Sequence, residues 1–249
     1  MNYGLAVGGG TRGAAHVGVL KALAEADMLP DTIAGASAGS VAAGLYAAGL
    51  TIEEMESAVA HLSKRGAEYL DPDYGSILEF VPQLLAGRTV SLSGFLKGNR
   101  LLEFFCRLTR RKQLDEAEVK LVIPAVDLHS GDTICYTNIE HVEAAGHVRW
   151  EWEAYLCEVM MASSSVPAVF APRRMGNYLL VDGGVTDNLP GNLLTAAGVE
   201  RVIAVDVGSS YRGPDDDSVT EVISHSFSIM SSRLKECGSR ESLFSFRRL

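Results

Sequence analysis

Short apolar runs and stretches of helical spacing alternate along the chain. The apolar runs predict buried strands at residues 5–7, 32–34, 120–126, 132–137, 178–181 and 202–207. Apolar positions at helical spacing predict helices over residues 14–26, 38–48 and 157–161, and from residue 51 onward. Strands that alternate with helices are typical of a mostly parallel sheet with helices on both faces. The pattern therefore predicts an α/β fold.

The composition supports a well-buried core and argues against a polyanionic partner. Of 249 residues, 47 % are hydrophobic, and the net charge is −9. We therefore expect no nucleic-acid partner. The four cysteines show no metal-ligand spacing, and the short apolar segment at residues 3–7 is preceded by no basic region. These features predict reduced thiols, no metal or cofactor, and a soluble cytoplasmic protein.

The first of three glycine clusters follows the first predicted strand and opens a helix. Its members are Gly8, Gly9, Gly10, Thr11, Arg12 and Gly13. Successive backbone amides at such a turn converge on one point, where they bind a phosphate or stabilise an oxyanion. The cluster also satisfies G-x-G-x-x-G, so a dinucleotide site is an alternative, although Asp27 and Asp31 are poor candidates for the ribose contact. A tight turn that binds nothing is the third interpretation.

The second cluster, Gly35-Ala36-Ser37-Ala38-Gly39, lies between a predicted strand and a predicted helix. A nucleophilic serine on such a sharp turn needs small residues two positions away on each side, which Gly35 and Gly39 supply. The N-terminus of the following helix stabilises negative charge at this position. The context predicts that Ser37 is a nucleophile.

The third cluster is Asp182-Gly183-Gly184, at the end of the strand predicted at 178–181. An aspartate at the carboxyl end of a parallel strand lies at the edge where α/β sheets bind ligands. None of the six histidines lies in a comparable position, although His16 could pack beneath the first glycine turn. We therefore favour Asp182 as the base for Ser37, because burial makes a carboxylate more basic. The alternative is that Asp182 only ties its own turn together.

Together these clusters resemble the patatin-like phospholipases, in particular their small bacterial members. The resemblance rests on GLAVGGGTRGAAHVGVLKALAEA, IAGASAGSVAAGLYAAG, ASSSVPAVFAP and LLVDGGVTDNLP, and it covers about residues 3–208. It implies a three-layer α/β/α sandwich and a Ser37–Asp182 dyad that hydrolyses lipid acyl esters without a metal. It also implies that the loop at 8–13, with Arg12, forms the oxyanion hole, and it gives residues 162–167 no catalytic task.

The resemblance also sets the expected domain organisation. We expect one hydrolase domain over residues 1–249, with a helical, lid-like insertion at about 71–118. The end of the chain, CGSRESLFSFRRL, shows no clear strand or helical period, whereas similar proteins continue into another strand. Residues 209–249 are therefore expected to be divergent or truncated.

A basic stretch at residues 97–112 stands out in this acidic chain. It holds six basic residues and one acidic residue, with apolar side chains at helical spacing. One hypothesis is that Arg100, Arg107, Arg110 and Arg111 contact anionic lipid at a membrane surface. The alternative is an ordinary amphipathic helix with a solvated basic face. Besides a lipid hydrolase, the sequence leaves open a catalytically silent regulatory protein and a nucleotide-binding module, and it does not define the oligomeric state.

Overall fold

The computed structural model describes residues 3–10, 13–72 and 96–207, together with Val222, His225, Ser226, Ile229, Met230, Ser231 and Arg233. Its strands are β1 (Gly4–Val7), β2 (Thr32–Gly35), β3 (Lys120–Asp127), β4 (Thr133–Thr137), β5 (Val148–Glu151), β6 (Arg173–Met175), β7 (Tyr178–Asp182) and β8 (Val202–Val205). Its helices are α1 (Ala15–Glu25), α2 (Ala38–Ala47), α3 (Ile52–Arg65), α4 (Asn99–Leu108), α5 (Leu156–Ser163) and α6 (Gly191–Ala196). Every strand and helix predicted above is present, with its ends displaced by at most two residues.

The eight strands form one mixed sheet. The strand order is β5-β4-β3-β2-β1-β8, and β7 pairs with β3 and with β6. The four strands β8, β1, β2 and β3 run parallel to one another. Strand β4 runs antiparallel to β3, and β5 runs parallel to β4. The expectation of a mostly parallel sheet is confirmed.

Helices cover both faces of the sheet because every central strand is apolar on both sides. Leu5 and Ile33 belong to the larger core cluster, which also holds buried residues of α1 to α5. Their neighbours Ala6 and Ala34 belong to a second cluster, which includes residues of α6. Side chains alternate between the faces of a strand, so these two clusters lie on opposite faces. The α/β/α sandwich expected from the resemblance is confirmed.

The direction of β7 differs from the prediction. The sequence predicts a parallel strand, whereas β7 runs antiparallel to β3, with Asp182 opposite Ala125 and Leu180 opposite Asp127. The reason is a tight hairpin from β6, whose two loop residues are Gly176 and Asn177. Strand β7 therefore enters from beyond the carboxyl end of β3 and still delivers Asp182 to the carboxyl edge of the parallel strands.

The prediction of four reduced cysteines is wrong for two of them. Cys106 in α4 and Cys157 in α5 form a disulfide, with their Cα atoms 4.9 Å apart. They lie 51 positions apart in sequence and meet because the two helices pack together, which spacing alone does not reveal. Cys135 is a free thiol buried on β4, and burial raises its pKa. Cys237 lies outside the described residues.

The predicted insertion at 71–118 is described at its two ends. The Asp71 carboxylate accepts hydrogen bonds from the amides of Gly98 (2.7 Å) and Asn99 (2.8 Å), and so caps the start of α4. Residues 73–95 lie outside the described part, as does most of the segment 209–249. Among the described helices, none is long and apolar enough to cross a membrane.

Candidate active site

Ser37 lies on the turn between β2 and α2 with a left-handed backbone, at φ 54° and ψ −127°. A non-glycine residue in such a conformation costs about 1–3 kcal/mol and persists only where its surroundings enforce it. The surroundings here are crowded backbone. A Cβ atom on Gly35 would collide with the carbonyl of Gly39, and one on Gly39 would collide with the carbonyl of Val7. Both predicted elbow glycines are therefore sterically required.

Asp182 is completely buried at the end of β7. Its Oδ1 accepts a hydrogen bond of 2.7 Å from the amide of Gly184, and its Oδ2 has no hydrogen-bond partner among the described residues. Burial raises the pKa of Asp182 to about 7, while the Ser37 hydroxyl and the Gly184 amide hold it from rising further. The Ser37 hydroxyl is thus close enough to influence the carboxylate, although the pair does not meet strict hydrogen-bond geometry.

The sheet register explains why these two side chains meet. Strand β2 pairs with β3 as far as Val122, and β4 occupies the other edge of β3 as far as Val126. Strand β7 therefore pairs with the edge of β3 that becomes free where its pairing with β2 ends, and this places Asp182 opposite Ala125. Ser37 lies two residues beyond the end of β2, at this same level. Three separated parts of the chain thus converge on one point.

Three consecutive serines at the end of α5 form a serine block, Ser163–Ser165, that hydrogen-bonds to both Ser37 and Asp182. Ser163 Oγ accepts a hydrogen bond of 3.2 Å from the amide of Ser37, and Ser164 Oγ donates one of 3.2 Å to the Ser37 carbonyl. The amide of Asp182 donates to the carbonyl of Ser165 at 2.9 Å. The resemblance to the family implies no catalytic task for this block. In the structure, these hydrogen bonds fix the strained turn at Ser37 relative to the end of β7.

The first glycine loop packs against the turn that carries Ser37. A Cβ atom on Gly9 would lie 2.6 Å from Ser37 Cβ and 3.1 Å from Ser37 Oγ. Gly10 is exposed, has a φ of 137° that favours glycine, and has no atom within 4 Å of the Cβ position. The loop therefore lies directly beside Ser37 and leaves open space at Gly10.

The hydrogen bonds of the loop amides reduce the number of residues that could donate to an oxyanion. The amides of Gly8, Gly9 and Gly13 donate to the carbonyls of Val205, Asn188 and Gly10, respectively. The Gly10 amide makes no hydrogen bond within the described part of the chain. Thr11 and Arg12, the other predicted members, lie outside that part. Gly10 is thus the described loop residue whose amide is free to bind an oxyanion.

Within residues 3–10, 13–72 and 96–207, the histidines form their hydrogen bonds and ion pairs away from Ser37 and Asp182. His16 is fully buried beneath the glycine loop, as the sequence suggests, and its Nε2 lies 2.6 Å from the Gly8 carbonyl. His61 instead bonds to the Tyr69 hydroxyl and stacks on Phe104. Across these ranges, no histidine forms a hydrogen bond or ion pair with Ser37 or Asp182, and no cluster of three His, Cys, Asp or Glu side chains could hold a metal.

The four arginines of the basic stretch lie on or just after α4. Arg100 donates to the carbonyl of Glu68, and Arg111 pairs with Glu103 at 3.1 Å. Arg107 and Arg110 are exposed and line a cleft of about 460 Å³. The helix ends at Leu108, so Arg110 and Arg111 lie in a turn, each with a φ of 53°. The apolar side of α4, including Phe104 and Phe105, is buried in the core.

Comparison with known proteins agrees with this architecture. The model of the patatin-like phospholipase family matches residues 7–194. An uncharacterised NTE family protein of Mycobacterium tuberculosis is 28 % identical over 219 residues, which are 88 % of this chain and 52 % of that protein. The human patatin-like phospholipase domain-containing protein 6 is 31 % identical over 202 residues, which are 81 % of this chain and 13 % of that protein.

The chain thus spans about half the length of this mycobacterial relative and a much smaller part of the human one. Among solved structures, VipD from Legionella pneumophila aligns with a TM-score of 0.48 at 16 % identity, over 76 % of this chain and 47 % of VipD. The family model covers well over half of the chain and includes all three glycine clusters. This chain therefore belongs to the patatin-like phospholipase family.

Proposed function

We propose that this protein is a serine acyl hydrolase that cleaves carboxylic esters of lipids, with Ser37 as nucleophile and Asp182 as general base. The observation that carries the proposal is the free, fully buried Oδ2 of Asp182 beside a half-buried Ser37. An unpartnered buried carboxylate oxygen is costly, so a native protein that keeps one has a reason to do so. A base that must accept a proton is such a reason.

The proposed reaction has two acyl-transfer steps. Ser37 Oγ attacks the ester carbonyl while Asp182 Oδ2 accepts the hydroxyl proton, and the carbonyl oxygen becomes an oxyanion facing the Gly10 amide. The tetrahedral intermediate collapses, the acyl–oxygen bond breaks, and the alcohol leaves with the proton from Asp182. Water then attacks the carbonyl carbon of the acyl-serine while Asp182 takes its proton. The bond between the acyl carbon and Ser37 Oγ breaks, Asp182 returns the proton to Ser37 Oγ, and the carboxylic acid departs. One oxyanion donor is commonly worth about 3 kcal/mol of transition-state stabilisation.

The pKa of Asp182 suits this role. A general base works best when its pKa lies near the working pH, because it is then both deprotonated and sufficiently basic. Burial raises the pKa of Asp182 to about 7, which meets that condition. An ordinary exposed aspartate would be about three orders of magnitude less basic. The buried position of Asp182 thus supports a dyad that needs no histidine.

A nucleotide-binding module fits the site less well. In dinucleotide-binding folds, an acidic residue at the carboxyl end of the second strand contacts the ribose. Here that position holds Gly35-Ala36-Ser37, whereas Asp27 and Asp31 precede β2 at its amino end. Neither aspartate lies at the edge where the glycine loop opens.

Hydrolysis of a panel of lipids would test the proposed function. We expect the wild-type protein to release acyl groups from phospholipids, lysophospholipids or neutral esters, and we expect Ser37→Ala to lose this activity while retaining its melting temperature. A wild-type protein that releases no acyl group from any of these, although properly folded, would instead support a catalytically silent regulatory protein. Wild-type activity in Ser37→Ala would refute the assignment of Ser37.

We also propose that Arg107 and Arg110 attract the protein to anionic membrane surfaces. Both are exposed, and their side chains carry no ion pair or hydrogen bond among the described residues. The apolar side of α4 is buried, so the attraction would be electrostatic, at about 1 kcal/mol per arginine. Co-sedimentation with anionic vesicles should fall for Arg107→Glu/Arg110→Glu but not for Arg174→Glu, an exposed arginine on β6. Equal binding of all three proteins would contradict this surface.

A further inference from the structure

The peptide bond between Gly8 and Gly9 is hydrogen-bonded at both of its polar groups, the Gly8 carbonyl and the Gly9 N–H. On one side, His16 Nε2 lies 2.6 Å from the Gly8 carbonyl oxygen. A carbonyl only accepts, so His16 must donate, and its hydrogen is therefore on Nε2. The other ring nitrogen, Nδ1, is buried without a partner, and desolvation lowers the pKa of His16. His16 is thus a neutral donor whose one side-chain hydrogen bond among the described residues is the bond to Gly8.

On the other side, two oxygen atoms of Asn188 accept hydrogen bonds from the Gly9 N–H. The Gly9 N–H lies 3.0 Å from Asn188 Oδ1 and 3.2 Å from the Asn188 carbonyl oxygen. Asn188 belongs to the turn that follows Asp182, and its Oδ1 lies 2.9 Å from the position that a Cβ would take on Gly184. The same position lies 2.9 Å from Asp182 Oδ1. Asn188 therefore ties the glycine loop to the turn that holds Asp182.

These contacts determine where the Gly10 amide points. Three consecutive glycines would otherwise leave the loop with many accessible conformations, since glycine has little steric restriction. With the Gly8–Gly9 peptide held at both ends, only the rotations about the Gly9 Cα separate it from the next peptide, which carries the Gly10 N–H. A donor that is already oriented stabilises an oxyanion without reorganising during the reaction.

We propose that His16 and Asn188 are positioning residues that clamp the Gly8–Gly9 peptide and so aim the Gly10 amide at the oxyanion. The inference rests on the proposed hydrolase function and adds two residues to it. Neither residue touches the reacting atoms. Their effect passes through one peptide bond, which makes their contributions interdependent.

A matched pair of substitutions at His16 tests the donor. Glutamine places its Nε2 near the position of His16 Nε2, whereas asparagine is equally polar and too short to reach Gly8. With p-nitrophenyl butyrate as the probe, we expect His16→Asn to lower kcat about tenfold or more, with little change in KM. We expect His16→Gln to recover kcat to within about threefold of the wild type. Equal loss in the two variants, or a loss confined to KM, would overturn the clamp.

A double-mutant cycle with Asn188→Leu tests the shared peptide. Asn188→Leu removes Oδ1 but keeps the backbone acceptor, so its loss of kcat should be smaller than that of His16→Asn. Because both residues act on one peptide, the double variant should lose less than the product of the single losses. Multiplicative losses would overturn the proposal. If His16→Asn fails to fold, an unchanged kcat in Asn188→Leu would overturn it.

The Ser37→Ala variant separates this inference from the proposed function. If the wild type depends on Ser37 while the His16 and Asn188 variants keep full kcat, the clamp is wrong and the hydrolase assignment stands. If Ser37→Ala retains activity, the proposed function itself is wrong. Melting temperatures measured on every variant show which losses of kcat come from unfolding.

Discussion

At the scale of single residues, the site combines an accessible serine with a carboxylate sealed from water. Asp182 is fully buried, while Ser37 is half-buried on the turn above the glycine loop. Burial opposes the charge on Asp182, and the nearby Ser37 hydroxyl partly offsets this cost. The protonation of this one carboxylate should therefore govern both activity and stability near neutral pH.

The activity should rise with pH through the pKa of Asp182. Asp182 accepts a proton only in its carboxylate form, and burial raises its pKa to about 7. We expect kcat/KM to increase about tenfold per pH unit below that value and to level off above it. A rate profile from pH 5 to pH 9 with a stable ester measures this. A flat profile between pH 5 and pH 7 would argue against Asp182 as the base.

The same residue should make the fold less stable as pH rises. The folded pKa of Asp182 is raised from 3.8 to about 7, so the folded protein holds a proton that the unfolded chain releases. Stability from this residue is full below about pH 4 and is lost as pH rises through about 7, by up to about 4 kcal/mol. Asp187, whose pKa burial raises to about 6, adds to this loss.

The Asp182→Asn variant should therefore lack activity and show a weaker decline of stability with pH. The free energy of unfolding in urea, measured at pH 5 and pH 8 for wild type and variant, tests this. Asp187→Asn is the matched control, since it should weaken the decline without abolishing catalysis. A decline in Asp182→Asn as steep as in the wild type would contradict the raised pKa.

Glycine at position 39 should be irreplaceable, in contrast to glycine at position 18. A Cβ on Gly39 would collide with the carbonyls of Val7 and Gly8, whereas one on Gly18 meets nothing within 4 Å. Gly18 lies inside α1, where alanine is favoured over glycine by about 1 kcal/mol. We expect Gly39→Ala to lower the melting temperature and abolish activity, and Gly18→Ala to raise the melting temperature. An active, stable Gly39→Ala variant would show that the turn is not crowded.

The sequence motifs locate Ser37, Asp182 and the glycine loop, since small residues flank each of them for steric reasons. The sequence suggests that His16 packs beneath the glycine turn, and in the structure it does. The motifs do not reveal Asn188 as a partner of the loop, because its contact with Gly9 joins residues 179 positions apart. His16 carries one available signal, a histidine in the first turn of a helix that follows the glycine turn. Asn188 carries a weaker one, as the polar residue before Leu189-Pro190.

At the scale of helices and strands, burial decides which elements the sequence predicts. The central residues of strands β1, β2 and β3 are apolar because both faces of the sheet are covered, so their apolar runs stand out. Strands β5 and β6 are short and only partly buried, and the helix α6 has six residues, so none of them gives a clear period. The antiparallel direction of β7 was predictable in principle from the hairpin signal Gly176-Asn177.

The disulfide between α4 and α5 should be detectable by peptide mapping. Digestion of the purified, alkylated, non-reduced protein should yield a cross-linked pair of peptides containing Cys106 and Cys157. The bond ties α4 to the helix whose end carries the serine block. Replacing both cysteines with alanine should lower the free energy of unfolding by about 2–4 kcal/mol. Recovery of Cys106 and Cys157 only as alkylated peptides would contradict the pairing.

At the scale of the whole molecule, one edge of the sheet gathers the candidate machinery. The glycine loop follows β1, Ser37 follows β2, and Asp182 ends β7, which enters that edge from the opposite direction. The serine block braces Ser37 and Asp182 from α5. This convergence explains why motifs separated by more than a hundred residues act as one site in the proposed mechanism.

Covalent labelling tests the central claim most directly. A fluorophosphonate probe reacts with a serine that is activated for acyl transfer, and mass spectrometry identifies the modified residue. We expect a single adduct at Ser37 in the wild-type protein, a loss of labelling in Ser37→Ala, and a strong reduction in Asp182→Asn. An adduct at another serine, or the absence of any adduct on folded protein that nevertheless hydrolyses esters, would contradict the Ser37–Asp182 dyad.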